Sequence, residues 1–137
     1  MKKSQPMQGC PCGSQNAKGK LQAYADCCGR YIDHWETQPA PDAQALMRSR
    51  YTAFVRENEA YLKATWHADQ RPQTLDFDGS VKWLGLQVRQ FQRTAESTAE
   101  VEFVARYRLA GTAVRLHERS RFVLEAGRWY YVDGDQF

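Results

Sequence analysis

The chain has 137 residues, and 19 Lys and Arg against 16 Asp and Glu give it a formal net charge of +3. Hydrophobic residues make up 42% of the chain and aromatic residues 12%, so we expect one domain of ordinary size with a small appendage. Its apolar runs are far shorter than the roughly twenty residues of a membrane span, so we expect a soluble protein. A charge excess this small does not by itself indicate a nucleic-acid-binding protein.

All the cysteines lie near the start of the chain, as Cys10-Pro-Cys12 and the adjacent pair Cys27-Cys28. Four thiolates from one short segment can surround a single soft cation in a closed tetrahedral site, which favours a structural zinc over a catalytic metal. His34 is a competing ligand if Cys28 points away. Free thiols without metal and a redox-active disulfide between Cys27 and Cys28 are the alternatives.

The first residues are charged, and no apolar stretch follows them. This is not the pattern of a secretory leader, so we expect a reducing, cytoplasmic location and no disulfide framework. Residues 1–38 hold all the cysteines and hardly any periodic aliphatic residues. We interpret residues 1–38 as a metal-ordered knuckle and residues 39–137 as the main domain.

Two helices are predicted at the start of the main domain. Pro39 and Pro41 discourage helix at the boundary, and Asp42 offers an N-cap oxygen to the segment that follows. Apolar residues then recur at three- and four-residue steps, at Ala43, Leu46, Met47, Tyr51, Phe54 and Val55. A shorter helix capped by Asn58 is predicted to carry Tyr61, Leu62 and Trp66.

After Gly79 the apolar period changes from about 3.6 to 2, which predicts an antiparallel sheet. The first strand covers 83–91, with a bulge between Val88 and Phe91. The second ends at Leu109, and a hairpin through 110–113 leads to a third strand over 114–125. A two-residue turn, Ala126-Gly127, then leads to the last strand, which begins at Arg128.

Glu118 and Ser120 interrupt the apolar face of the third strand, so both are predicted to point inward. If Leu109 pairs with Val114, then Ala105 lies opposite Glu118, and its small side chain leaves space beside the carboxylate. Such space is typical of a pocket.

The same alternation predicts a polar cluster. The turn at 126–127 brings Asp133 across from Ser120, so Glu118, Ser120 and Asp133 form a candidate site with Trp129 and Tyr131 as its walls. The structural alternative is a buried Glu118 that pairs with Arg48 or Arg50 from the covering helix.

The opposite face of these strands is predicted to be basic. It carries Arg106, Arg108, Arg115, His117, Arg119 and Arg121, with Glu102 expected across from Arg121. Clustered guanidinium groups on an open sheet can hold a phosphate backbone, which makes Arg106, Arg108, Arg115 and Arg119 candidates for an RNA contact. A solvated outer face is the alternative.

Two sets of residues resemble known families. Cys10-Pro-Cys12-Gly13-Ser14 and Tyr24-Ala-Asp-Cys27-Cys28-Gly29-Arg30-Tyr31 resemble the SEC-C motif, a small zinc-binding element that also occurs in the SecA translocation ATPase. Segments 46–54, 61–66, 101–105, 118–122 and 128–134 are similar to the YchJ-like family of bacterial proteins. The interval between the two cysteine pairs is longer than usual for the motif, and we expect residues 16–22 to loop out.

The YchJ-like resemblance implies an α+β fold of the nuclear transport factor 2-like (NTF2-like), or cystatin-like, kind. Helices would pack on the concave side of a curved antiparallel sheet, with a SEC-C knuckle in front. The SEC-C resemblance implies zinc on Cys10, Cys12, Cys27 and Cys28.

Two functions are compatible with these features. The first is a non-catalytic adaptor that contacts a protein partner or the ribosome through its knuckle, as the SecA knuckle is understood to do. The second is a small-molecule-binding or enzymatic cone, with Glu118 or Asp133 as general acid or base and Ser120 orienting the ligand, beside apolar walls such as Trp83 and Phe103. An aromatic-lined cavity with an unpaired Glu118 would favour the second function, and a filled interior with Glu118 bound to Arg50 would count against it.

Overall fold

Helical segments precede a four-stranded sheet in the computed structural model, which describes residues 9–137. A 3₁₀ turn (Tyr24–Asp26) leads into α1 (Gly29–Ile32), α2 (Ala43–Val55) and α3 (Glu59–Ala64). The strands are β1 (Val81–Ala95), β2 (Thr98–Leu109), β3 (Thr112–Glu125) and β4 (Arg128–Gln136). The charged start used to predict the location, residues 1–8, lies outside the described residues.

The sheet is antiparallel throughout, in the order β1-β2-β3-β4. Two of its hairpins have a two-residue Ala-Gly turn in which both residues have positive φ: Ala110 (50°) with Gly111 (85°), and Ala126 (51°) with Gly127 (80°). Turns of this kind match the twist of the flanking strands. The predicted bulge in β1 is confirmed by a register shift between Val88 and Gln90.

The turn at Ala110-Gly111 corrects the predicted register of the second hairpin. Leu109 pairs with Thr112, not with Val114, because the turn has two residues instead of four. Every pair therefore moves by two positions, and Phe103, not Ala105, lies opposite Glu118. A shift by two leaves each side chain on its predicted face, so Glu118 still points inward.

A bulge in β4 was not predicted. Tyr131 pairs with Phe122 and Asp133 pairs with Arg121, so Val132 is an additional residue on β4. An extra residue reverses the side-chain alternation beyond it. Asp133 therefore lies on the outer face, and the prediction that it lies opposite Ser120 is wrong.

Both predicted helix caps are confirmed. Asp42 accepts a hydrogen bond from the backbone N–H of Ala45 at 2.7 Å, and Asn58 accepts one from Tyr61 at 3.0 Å. Each cap satisfies an N–H group that has no partner inside its helix.

The second helix ends before Trp66, which the sequence had assigned to it. Helix α3 stops at Ala64, and Trp66 forms a parallel bridge with Tyr131. The backbone N–H of Tyr131 donates to Thr65 O at 2.8 Å, and that of His67 donates to Tyr131 O at 2.7 Å. The chain after α3 thus covers the free edge of β4 and brings the Trp66 ring beside the sheet.

Helix α2 packs on one face of the sheet, where it contacts β1, β2 and β4. The largest fully buried side chains between the two layers include Leu46, Leu62, Val101 and Phe122. Each such side chain contributes about 1.5–3 kcal/mol on burial. The α+β fold with a helix-covered antiparallel sheet is confirmed.

The four cysteines belong to the same hydrophobic core as the sheet and α2. Arg128 on β4 also donates to the backbone oxygens of Trp35 and Glu36, both at 2.6 Å. The knuckle is thus packed on the main domain, and the boundary between residues 1–38 and 39–137 stays a prediction. Within residues 9–137, no helix has the length and apolar character needed to cross a bilayer.

Candidate functional site

The four cysteine sulfurs of Cys10, Cys12, Cys27 and Cys28 lie within 4.8 Å of one another. Every one of these side chains is at most 5% exposed, and none forms a disulfide. Zn–S bonds of about 2.3 Å in a tetrahedron place neighbouring sulfurs about 3.8 Å apart. The Cys12 and Cys27 sulfurs are 3.6 Å apart, so the cluster has the size and donor set of a metal site.

Two tight turns bring these sulfurs together. The N–H of Gly13 donates to Cys10 O at 3.0 Å, and Gly13 adopts a φ of 78° that favours glycine. Cys28 directly precedes α1. A Cβ added at Gly29 would lie 2.7 Å from Tyr24 O, so a glycine lets the chain turn tightly after the second pair.

The longer interval between the pairs forms a small hairpin, as expected for residues 16–22. Gln15 bridges to Leu21, and the side chain of Asn16 accepts hydrogen bonds from the N–H groups of Lys18 and Lys20, at 2.9 and 3.1 Å. The hairpin leaves the sulfurs together. His34 is exposed and lies outside the group of close sulfur ligands.

The thiols influence one another strongly. Hydrogen bonds from the neighbouring thiols, first of all Cys12, hold the pKa of Cys10 well below the ordinary thiol range. The pKa of Cys28 is raised, chiefly through its hydrogen bond with Cys10. The pKa of Cys12 also lies below the ordinary thiol value, and that of Cys27 lies above it. The cluster therefore resists ionisation of all four thiols together, a penalty that a bound cation removes.

Helix α2 supports the cluster from behind. The Thr52 hydroxyl lies 3.6 Å from the Cys10 sulfur, and Arg48 Nη1 donates to Cys12 O at 3.1 Å. Both residues are on the same face of α2, four positions apart. Arg48, which the sequence offered as a partner for Glu118, is thus engaged with the knuckle.

A partly open cavity of about 250 Å³ lies between α2 and the sheet. Its walls are mainly aromatic, and the rings are those of Tyr51, Phe54, Trp66, Trp83, Phe103, Phe122 and Tyr131. Tyr51 and Trp83 meet edge to face at 5.5 Å, and Trp66 and Tyr131 do so at 5.2 Å. The predicted walls Trp83, Phe103 and Tyr131 are therefore present, whereas Trp129 does not line this cavity.

Glu118 presents a carboxylate to this cavity and is only 9% exposed. Its Oε2 accepts hydrogen bonds from Ser120 Oγ at 2.7 Å and from the Tyr131 hydroxyl at 3.3 Å. Burial raises the pKa of Tyr131 to about 12, so this phenol stays protonated and can donate. Among residues 9–137, Glu118 Oε1 has no hydrogen-bond partner, and no basic side-chain nitrogen lies within 4.0 Å of the carboxylate.

Arg50 lines the same cavity but does not pair with Glu118. The residue is 5% exposed, and its Nη1 donates to Leu62 O and to Thr65 Oγ1, both at 2.8 Å. Its guanidinium packs over two neighbouring rings, 4.9 Å from the centre of Trp66 and 4.6 Å from that of Tyr131. Burial lowers the pKa of Arg50 to about 10, so it remains charged at neutral pH.

Asp133 does not join Glu118 and Ser120. It accepts a hydrogen bond from Arg121 Nε at 2.6 Å on the outer face. The sequence reasoning also missed the contributions of Tyr51, Phe54 and Trp66 to the cavity. Tyr51 and Phe54 could have been predicted to line the cavity, because both lie on the buried face of the predicted helix.

The outer face of the sheet is less basic than its sequence suggests. Glu102 lies opposite Arg119, not Arg121, and accepts from His117 at 2.8 Å and from Arg119 at 3.3 Å. Arg121 bonds to Asp133 and also to Asp135, at 2.8 Å. The exposed side chains of Arg106, Arg108 and Arg115 have no acidic partner within the described part of the chain.

Known proteins resemble this chain both in the helix-covered sheet and over nearly its whole length. Residues 42–134 match the family model "YchJ, middle NTF2-like domain". A UPF0225 protein of Polaromonas sp. (strain JS666) is 66% identical over 131 residues, which cover 95% of this chain and 94% of that protein. A UPF0225 protein of Bordetella pertussis is 56% identical over 128 residues, which cover 93% of this chain and 92% of that protein.

Two solved structures share the fold. The solution structure of a SEC-C motif containing protein from Rhodopseudomonas palustris has a TM-score of 0.78 at 34% identity, and covers 95% of this chain and 99% of its own. The crystal structure of a SEC-C motif containing protein from Psychrobacter arcticus also has a TM-score of 0.78, at 31% identity. The match covers 93% of this chain and 82% of that protein.

Proposed function

This chain belongs to the UPF0225 family of YchJ-like proteins, and for it we propose the function of a zinc-organised protein that binds a small molecule between α2 and the sheet. The observation that carries the binding role is Glu118, a buried carboxylate in an aromatic cavity that, within residues 9–137, has one free oxygen and no cationic partner. A purely structural buried acid is normally paired, because an unpaired buried charge is costly. A concave apolar site with a few convergent polar groups is the usual form of a ligand pocket.

The metal that best fits the four-cysteine cluster is zinc. Four thiolates at tetrahedral spacing leave no open coordination position, so the ion would be structural and would not take part in catalysis. Cys10, Cys12, Cys27 and Cys28 would hold it, with Thr52 donating to a ligand sulfur. Partners of this kind outside the ligand set orient the ligands and tune their affinity for the metal.

Helix α2 connects the two sites. Arg48 and Thr52 face the knuckle, whereas Arg50, Tyr51 and Phe54 face the cavity. A bound ion that fixes the knuckle against one side of α2 therefore also steadies the wall that the helix gives to the cavity. Zinc supplies the rigidity in this proposal, and the cavity supplies the binding function.

Ligand binding can be tested by screening small aromatic fragments against the native chain and mapping hits through the amide and indole signals of its NMR spectrum. We expect hits that shift the Trp66 and Trp83 indole signals. The cavity-filling variant Leu116→Trp should lose these hits, and the exposed-site control Leu84→Trp should keep them. Fragments that bind equally well to Leu116→Trp, or no hits at all, would contradict a ligand-binding cavity.

A second candidate is the contact with the ribosome or another RNA-containing partner that the sequence suggested. Arg106 and Arg115 lie directly opposite each other on β2 and β3. Like charges in such a pair repel unless an anion lies between them, which supports a phosphate contact at Arg106, Arg108 and Arg115. Arg119 fits this role less well, because it is paired with Glu102.

Salt-dependent cosedimentation with ribosomes tests this second candidate. The variant Arg115→Glu should weaken cosedimentation at low salt, whereas Arg89→Glu, an equal charge change at another exposed site, should not. Equal behaviour of the two variants would count against the sheet face. A protein partner that docks on the knuckle itself stays a prediction.

A further inference from the structure

We propose that the cavity binds a planar heteroaromatic molecule, uncharged at neutral pH, whose edge carries an N–H donor next to a ring-nitrogen acceptor. This inference rests on the ligand-binding function proposed above and specifies its chemistry. It follows from three properties of the cavity: its walls, its free hydrogen-bonding groups and its balance of charge.

The walls favour a flat aromatic ligand. Trp83 contacts Tyr51 at 5.5 Å and Phe54 at 6.2 Å between ring centres, and Trp66 and Tyr131 form a second wall. Rings in such arrangements offer faces and edges against which another ring can stack. An apolar cavity of about 150 Å³ takes up benzene. The volume of about 250 Å³ here therefore suits a molecule with one or two fused rings.

The free polar groups favour an edge with both a donor and an acceptor. In the described part of the chain, Glu118 Oε1 is an acceptor without a donor, since Ser120 and Tyr131 both bond to Oε2. Of the three nitrogens of Arg50, only Nη1 donates to an acceptor among residues 9–137, so this side chain retains free N–H groups. A ligand N–H can satisfy Glu118, and a neighbouring ring nitrogen can accept from Arg50.

The charges favour a neutral ligand. Glu118 and Arg50 line one cavity with opposite charges, each at least nine-tenths buried, and are more than 4.0 Å apart. An amine cation would be attracted by Glu118 but repelled by Arg50, and a carboxylate would meet the reverse situation. A neutral ligand that bridges the two groups satisfies both without adding a charge to a buried site.

Calorimetric titration of the metal-containing 137-residue chain with four probes tests this inference. The probes are 7-azaindole, which has adjacent N–H and ring nitrogen, indole, which has the N–H alone, benzofuran, which has no donor, and phenethylamine, which is a cation. We expect 7-azaindole to bind about tenfold more tightly than indole, and indole about tenfold more tightly than benzofuran. Phenethylamine should bind no better than benzofuran.

The variant Glu118→Gln sharpens the test. Ser120 and Tyr131 hold the amide oxygen on their side, so the NH₂ group points into the cavity and an acceptor becomes a donor. The preference for indole over benzofuran should then disappear, whereas Glu102→Gln, on the outer face, should retain it. Equal binding of the three bicyclic probes, or tightest binding of phenethylamine, would overturn the ligand class alone. Failure of all four probes to bind would overturn the ligand-binding function as well.

Discussion

Gly134 lies so close to the carboxylate of Glu118 that a Cβ added at Gly134 would overlap with Glu118 Oε2. The bulge at Val132 creates this contact, because it places Gly134 directly opposite Ser120 on the neighbouring strand. Gly134 is therefore required by space and not by an unusual backbone conformation. The absence of a side chain there leaves room for the acid on the cavity side of the sheet.

We predict that Gly134→Ala displaces the Glu118 side chain and lowers the free energy of unfolding by about 1–3 kcal/mol, the usual cost of overpacking. Urea denaturation measures this change. Gly85→Ala is the matched control, since Gly85 also lies in a strand but has open space at its Cβ position, and we expect a change within about 0.5 kcal/mol. Equal effects of the two variants would contradict this role of Gly134.

The hydroxyl of Thr52 should contribute to metal affinity. Thr52→Val keeps the shape of the side chain and removes the hydrogen bond to the Cys10 sulfur, so we expect zinc affinity to fall about tenfold in a competition assay with a chelator. Thr65→Val is the control, because Thr65 is buried and bonds to Arg50 instead of a cysteine. If Thr65→Val lowers zinc affinity as much as Thr52→Val, the effect is one of general stability.

Removal of one ligand should remove the metal. Cys12→Ser is expected to purify without stoichiometric zinc and to unfold at a lower temperature, because binding of a structural metal is coupled to folding. His34→Ser should retain zinc and stability, since His34 is exposed and outside the sulfur cluster. Loss of zinc from His34→Ser, with retention in the Cys28→Ser variant, would instead support the ligand set that contains His34.

The outer face should stabilise the fold in a pH-dependent manner. Hydrogen bonds from Arg121 lower the pKa of Asp135. A carboxylate with a depressed folded pKa stabilises the fold above its unfolded pKa of about 3.9, and this stabilisation is lost as the pH falls through the folded pKa. The stability difference between the native chain and Asp135→Asn should thus be present at about pH 7 and smaller near about pH 3.5, below the unfolded pKa.

The control for this pH effect is Asp76→Asn, an exposed aspartate for which we expect no such change. Urea denaturation at the two pH values, in low salt, provides the measurement. A difference for Asp135→Asn that is the same at both pH values would contradict the account.

Local sequence signals predicted most of the fold. Asp42 and Asn58 were recognised as caps because they precede apolar periodic segments, and both caps form. The two Ala-Gly turns are equivalent in structure, yet only the one at 126–127 was predicted with its correct length. The residues after Gly111 are compatible with either turn length, so the register of that hairpin depended on pairing that the local sequence does not encode.

The composition of the cavity was harder to predict, for two reasons. The bulge at Val132 interrupts a regular alternation, and its one sequence signal is Gly134, since a glycine within a strand often marks a bulge or a close contact. The partner of Arg50 depends on long-range packing, because Leu62 O and Thr65 Oγ1 compete with Glu118 for the same guanidinium. By contrast, the cysteine cluster followed directly from the grouping of thiols in one short segment.

The ion that organises the knuckle is the central element of this account, and X-ray absorption at the zinc edge of native, untagged protein tests it most directly, together with elemental analysis. We predict one zinc per chain with four sulfur neighbours at about 2.3 Å. A chain without stoichiometric zinc, or a zinc shell that contains nitrogen or oxygen in place of sulfur, would contradict it.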